Sequence, residues 1–92
     1  MNVRMQYYAQ VRQVAGVENE TIALDEGADL RGLLARLADR YGDSFRSFVL
    51  DVRGDPRPGI IVLVNDRPVG GGESPRLAEG DQVSIFSPVA GG

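Results

Sequence analysis

Leu30, Leu33, Leu34, Leu37 and Tyr41 recur at i, i+3, i+4, i+7 and i+11, which predicts one helix with a single apolar stripe. Asp29 stands at its N-cap, and Gly42 occupies the position of a left-handed C-terminal cap. Gly32 inside this pattern should cost about 1 kcal/mol relative to alanine. Arg31, Arg36, Asp39 and Arg40 fall on the opposite face and read as solvated surface. One helix striped on one side needs a single apolar surface to lie on, and the rest of the chain supplies strands for it.

Val3, Met5 and Tyr7 alternate with Arg4, Gln6 and Tyr8, a strand with one buried face from which Tyr8 points outward. Residues 9–16 read as a turn or short helical segment ended by Gly16. Thr21 to Leu24 predict a second strand, the antiparallel neighbour of the first, stopped by Asp25-Glu26-Gly27. Phe45, Phe48 and Val49 suggest a further helical turn, and residues 51–59 form a Gly/Pro-rich loop. Its Arg53-Gly54-Asp55 spells an integrin-binding tripeptide, which reads as coincidence. The apolar run Ile60 to Val64 predicts a strand buried on both faces, or covered on one by a partner. Asn65-Asp66 turns it into a short return through Pro68, confined to a sheet edge by its missing N–H. Gly70-Gly71-Gly72 lacks the Lys and Ser/Thr of a phosphate loop and reads as a turn. Gln82 to Phe86 predict the last strand, with Val83 and Ile85 on one face.

This order gives an α+β fold with four to five strands and one main helix packed on one face of the sheet. Parity leaves Tyr8, Leu63 and Phe86 on the uncovered face, on adjacent strands, as a patch of the kind that marks interfaces.

Composition narrows the function classes. At 92 residues the chain is expected to form one domain, and no apolar run reaches the ~20 residues of a membrane helix. Met1 leads directly into a strand pattern, so a cytoplasmic location is expected, with no membrane partner. A net charge of −3 argues against a nucleic-acid partner. With no cysteine and no histidine, disulfides, soft-metal sites, thiol nucleophiles and the commonest general base are all absent. The chain therefore reads as a carrier or substrate protein, not an enzyme, with no metal and no bound cofactor. All ten basic residues are arginine, so branched chains through lysine cannot form.

The last stretch, Phe86-Ser87-Pro88-Val89-Ala90-Gly91-Gly92, leaves the final strand, passes a proline and sheds its side chains. The division expected is a domain over residues 1–86 and a flexible tail over 87–92. A frayed terminus is one reading of two glycines. The other makes the Gly92 carboxylate the working group, on a stalk thin enough to enter another protein's active site. With an ordinary pKa of roughly 3.5 that carboxylate is ionised and a poor electrophile. Activation through an acyl-adenylate would require ATP, handled by a partner because this chain has no ATP-binding loop. Threading Ser87 to Gly92 costs about 6–12 kcal/mol at 1–2 per residue, so a docking patch on the folded body must contribute.

Tyr7-Tyr8-Ala9-Gln10-Val11-Arg12 with Gly16, then Val64-Asn65-Asp66, then Leu77 and Gly80-Asp81, and finally Phe86 to Gly92 resemble the MoaD/ThiS-type ubiquitin-like sulfur carriers, such as the small subunit of molybdopterin synthase. The resemblance covers nearly the whole chain. It implies the ubiquitin-like β-grasp fold with a mixed sheet. It also implies that an adenylylating, ubiquitin-activating-like enzyme activates Gly92, next to Gly91, and that sulfur then replaces one oxygen to give a thiocarboxylate. A molybdopterin synthase large subunit or another sulfur-accepting enzyme would receive the sulfur. The implied contact surface carries over onto Tyr8, Leu63, Pro68 and Phe86, with Pro88, Val89 and Ala90 guiding the tail. The 51–59 loop is longer than in compact molybdopterin-synthase subunits and resembles relatives that serve elsewhere. The alternatives are a protein modifier forming isopeptide bonds, or a sulfur donor to tRNA thiolation, thiamine or cysteine synthesis.

Overall fold

The computed structural model describes residues 1–88. Its strands are β1 (Asn2–Tyr7), β2 (Asn19–Ala23), β3 (Ile61–Val64), β4 (Arg67–Pro68) and β5 (Gln82–Phe86), and its helices α1 (Ala9–Ala15), α2 (Leu30–Tyr41) and α3 (Asp43–Val49). The sheet order is β2-β1-β5-β3-β4. β1 pairs antiparallel with β2 and parallel with β5, while β3 pairs antiparallel with both β5 and β4. The last strand is thus the middle one. The apolar run of β3 lies between β5 and the edge, and only Val62 is buried on the helix side; Ile61 and Leu63 are half-exposed on the other.

The leucine stripe does what its spacing requires. Leu30, Leu33, Leu34 and Leu37 are all at most 1% exposed and share one core with Val3, Met5, Tyr7, Val83 and Ile85. Each such side chain contributes about 1.5–3 kcal/mol by leaving water. The Asp29 carboxylate accepts the Gly32 N–H at 3.0 Å, capping α2. That bond holds the Asp29 carboxyl below its usual range, with the Ser74 hydroxyl assisting. Gly32 is therefore a first-turn residue and not an interior one. A Cβ there would stand 3.2 Å from the capping oxygen, which offsets the cost expected of glycine.

Gly42 has a positive φ of 86° but an extended ψ of −163°, not the left-handed helical pair expected of a C-cap. It ends α2 and begins α3 with no residue between, and that reversal requires the backbone region only glycine enters freely. The arginines on the outer side of α2 are not simply solvated. Arg31 bonds the Arg53 carbonyl at 2.7 Å and the Asp55 carboxylate at 2.5 Å, which engages the tripeptide of the 51–59 loop within its own fold. Arg36 donates to the Ala23 carbonyl at 2.5 Å, and Arg40 pairs with Glu20 at 3.5 Å.

One polar knot sits at the core's rim. The Tyr7 hydroxyl donates to Glu20 Oε2 at 2.7 Å, and the Tyr41 hydroxyl donates to the same oxygen. Phe45 packs near-perpendicular to Tyr7 at a 6.5 Å centroid distance. Burial first, then the hydrogen bond to Glu20 and its charge, push the Tyr7 phenol far up and the Tyr41 phenol up to about 12.

Two outcomes follow for stability. Leu37→Ala should lower the unfolding free energy by about 2–5 kcal/mol in a denaturant titration. A loss below about 1 kcal/mol would mean that the stripe is not the core. The tyrosines also set an alkaline limit. Their folded pKa values exceed the unfolded one near 10, so their contribution is complete below pH 10 and is lost as pH rises through the folded values. With no lysine or cysteine to titrate in that range, the urea midpoint should be level from pH 8 to 9.5 and fall beyond it, and Tyr41→Phe should shrink the fall.

Candidate functional site at the end of the central strand

β1 and β5 run in parallel, with Tyr7 beside Ile85, so both chains leave the sheet at the same end. Tyr8, the first residue past β1, donates its N–H to the Ile85 carbonyl at 3.3 Å and turns its ring outward, 47% exposed. Phe86, the last residue of β5, meets that ring edge-to-face at 6.0 Å and 85°. The Tyr8 carbonyl accepts from Val11 and Arg12 at 3.1 and 3.3 Å and starts α1. Ala9 makes the corner at a φ of 49°, left-handed backbone that costs an alanine about 1–2 kcal/mol. Strain of this kind persists where neighbours over-determine the geometry. Here the strand on one side and the helix on the other hold the Tyr8 ring over Phe86.

Tyr8, Ala9, Leu63, Asp66, Ser84, Phe86 and Ser87 line a hollow of about 380 Å³. Leu63 stands opposite Ser84 across the β3–β5 ladder, and Ile61 opposite Phe86, so all four share the face that carries no helix. The Asn65-Asp66 turn closes the hairpin below it, with φ of 51° and 66°. Asn65 is tied to β5 by its side chain, which accepts from Gln82 N–H at 3.0 Å and donates to Asp81 at 2.8 Å.

Three of the sequence-derived residues, Tyr8, Leu63 and Phe86, are therefore brought together. Pro68 is not among the lining. It sits beside Leu63 in the β3–β4 pair but borders a separate groove of about 770 Å³, because β4 is the edge strand and the sheet ends there. That larger groove includes none of Tyr8, Phe86 and Ser87. Its carboxylates are engaged internally: Glu73 accepts the Gly70 N–H, and Asp81 accepts from Asn65 and Ala78. Pro88 is exposed at the mouth of the tail, while Val89, Ala90, Gly91 and Gly92 lie outside the described residues. Ser84 was missed, because a serine in a strand does not register as part of an apolar patch. Its parity with Phe86 was the available signal. It is 5% exposed, and its short side chain leaves the hollow open. Among the described residues no group of His, Cys, Asp or Glu has a metal-binding arrangement.

The Tyr8–Phe86 contact can be weighed directly. A double-mutant cycle of Tyr8→Ala and Phe86→Ala, read by denaturant unfolding, should give a coupling of about 0.5–1.5 kcal/mol. A coupling near zero would mean that the rings do not hold each other.

Comparison with known proteins agrees with this geometry. The ThiS family pattern matches residues 5–92. Small archaeal modifier protein 3 of Haloferax volcanii is 32% identical, with both chains covered completely. The molybdopterin synthase sulfur carrier subunit of Chlamydomonas reinhardtii is 29% identical, again over the whole of both. The crystal structure of SAMP1 from Haloferax volcanii superposes with a TM-score of 0.83 at 27% identity over all of both chains. The five-stranded mixed sheet with its helices on one side is thus the ubiquitin-like β-grasp, and the chain belongs to the ThiS family of small carriers and ubiquitin-like modifiers.

Proposed function

We propose that this chain is a sulfur carrier whose Gly92 carboxylate is adenylylated by a partner enzyme and converted to a thiocarboxylate, with Gly91 and Gly92 as the slender end that enters the partner's site. The observation that carries the reading is the exit of β5: Phe86, Ser87 and Pro88 leave the sheet beside an apolar hollow. Tyr8, Leu63 and Phe86 give a partner something to grip while the tail reaches forward. In the first step a carboxylate oxygen attacks the α-phosphorus of ATP and pyrophosphate leaves. In the second, a sulfide-level nucleophile supplied by a partner attacks the acyl carbon and AMP leaves. The sulfur then passes to a molybdopterin synthase large subunit, in keeping with the name of the 29% identical relative. Residues 87–92 serve as the tail and residues 1–86 as the docking body; ATP is consumed by the partner and not held here.

A second reading, attachment of Gly92 to lysines of other proteins, is favoured by the name of the 32% identical relative. It uses the same adenylate and differs only in the final nucleophile.

Intact-mass measurement on the protein from its native host tests the first reading. A fraction with one oxygen exchanged for sulfur is expected. That fraction should fall several-fold in Ser84→Phe, which fills the hollow from the sheet face opposite the leucine core, while the unfolding midpoint checks that the variant still folds. Carboxylate alone, in cells that contain the activating partner, would rule the sulfur reading out. Gly-Gly remnants on lysines of other proteins would favour the second.

A further inference from the structure

The surface around the tail has one chemical property that the carrier role alone does not require. All ten cationic side chains are arginine, and all ten are exposed. At pH 8 about 0.4% of an ordinary lysine is the neutral, nucleophilic amine, whereas for arginine the fraction is at least about a hundredfold smaller. Thiols and imidazoles are absent as well. A hydroxyl attacks an acyl group at a useful rate only with a base beside it. The hydroxyls that do have a carboxylate beside them are poorly served by it: Tyr7 and Tyr41 donate to Glu20 while packed into the core and its edge, and the Asp29 carboxyl beside Ser74 is held below its usual range, which weakens it as a base. The α-amine of Met1 donates to the Leu24 carbonyl at 2.7 Å and lies 4.0 Å from the Glu26 carboxylate. It must leave that position on Leu24 before it can reach another chain's end.

We propose that the chain is constructed to be inert toward its own activated end: with arginine at every cationic position and the Met1 amine engaged on Leu24, no group in residues 1–92 consumes the acyl group of Gly92, in the same copy or another. This rests on the reading of Gly92 as an activated acyl end and adds which reactions can follow activation. Aminolysis would form a C–N bond at the acyl carbon and break the bond to the leaving group, which departs as AMP or thiol while the amine loses a proton. The only amines able to do so are brought by another molecule. The activated form therefore survives at high local concentration until a sulfur donor or a foreign lysine arrives, and every adduct carries a single copy.

The test does not need the activating enzyme, so its failure is separable from failure of the sulfur reading. The full chain is prepared with Gly92 as a thioester, concentrated, and followed by intact mass at pH 8. Added free lysine should capture the end, which shows it is reactive. Wild type without added amine should give only hydrolysis. Arg76→Lys and Arg12→Lys should give cross-linked dimers at least about tenfold faster than wild type. Wild-type dimers forming as fast as in the variants, or acylation at Met1, would overturn the proposal. So would lysine variants that stay monomeric while free lysine reacts.

Discussion

The parallel pairing of the first and last strands is the constraint on which the rest depends. Arg4 beside Gln82 through Tyr7 beside Ile85 locks the two ends of the chain into the middle of one sheet, with everything between them wound as a crossover. A parallel pair cannot be joined by a tight turn, so the chain must build a long connection, and α2 is the part of it that covers the sheet. The same pairing makes both strands exit at one end, which is why the residue after β1 and the last residue of β5 meet. Core and patch are two faces of one arrangement: Val83 and Ile85 point to the leucines, while Ser84 and Phe86 point away.

That division also separates the energetic duties. The covered face supplies stability through an aliphatic core completed by the Tyr7–Glu20–Tyr41 knot. The uncovered face holds partly exposed aromatic and aliphatic groups, Tyr8, Leu63 and Phe86. Covering such a side chain fully is worth roughly 1.5–3 kcal/mol, so a few together match the order of magnitude of the entropy lost in threading a short tail.

Much of this was legible in the residues. The leucine stripe, the alternation of β1 and the turn at Asn65-Asp66 are local patterns that tertiary packing reinforced. Parity alone placed Tyr8, Leu63 and Phe86 on the open face. Strand order was not legible without the family resemblance, because parallel pairing between residues 4–7 and 82–85 leaves no local trace. The tethering of Arg31, Arg36 and Arg40 was hidden for the same reason: their partners Asp55, Ala23 and Glu20 come from other elements. α1 and α3 are only seven residues each and owe their existence to Val11, Ala15, Phe45 and Val49 packing inward, so their sequences alone suggested a turn or short helical segment for the first and one further helical turn for the second. Pro68, named from family likeness, stands opposite Leu63 and so shares its face of the sheet, but at the margin, one strand beyond the lining of the hollow.

Pro68 has a different consequence at that margin. In the hairpin, Val64 pairs with Arg67 and the Val69 N–H reaches the Val62 carbonyl, so the intervening residue directs its backbone away from the sheet. A pyrrolidine nitrogen at that point has no hydrogen to offer, and a foreign strand laid alongside would find an acceptor without its donor. The β4 border is thereby blunted against ladder extension. Another protein that meets this flank is therefore held there by side chains, since the backbone offers it no complete rung.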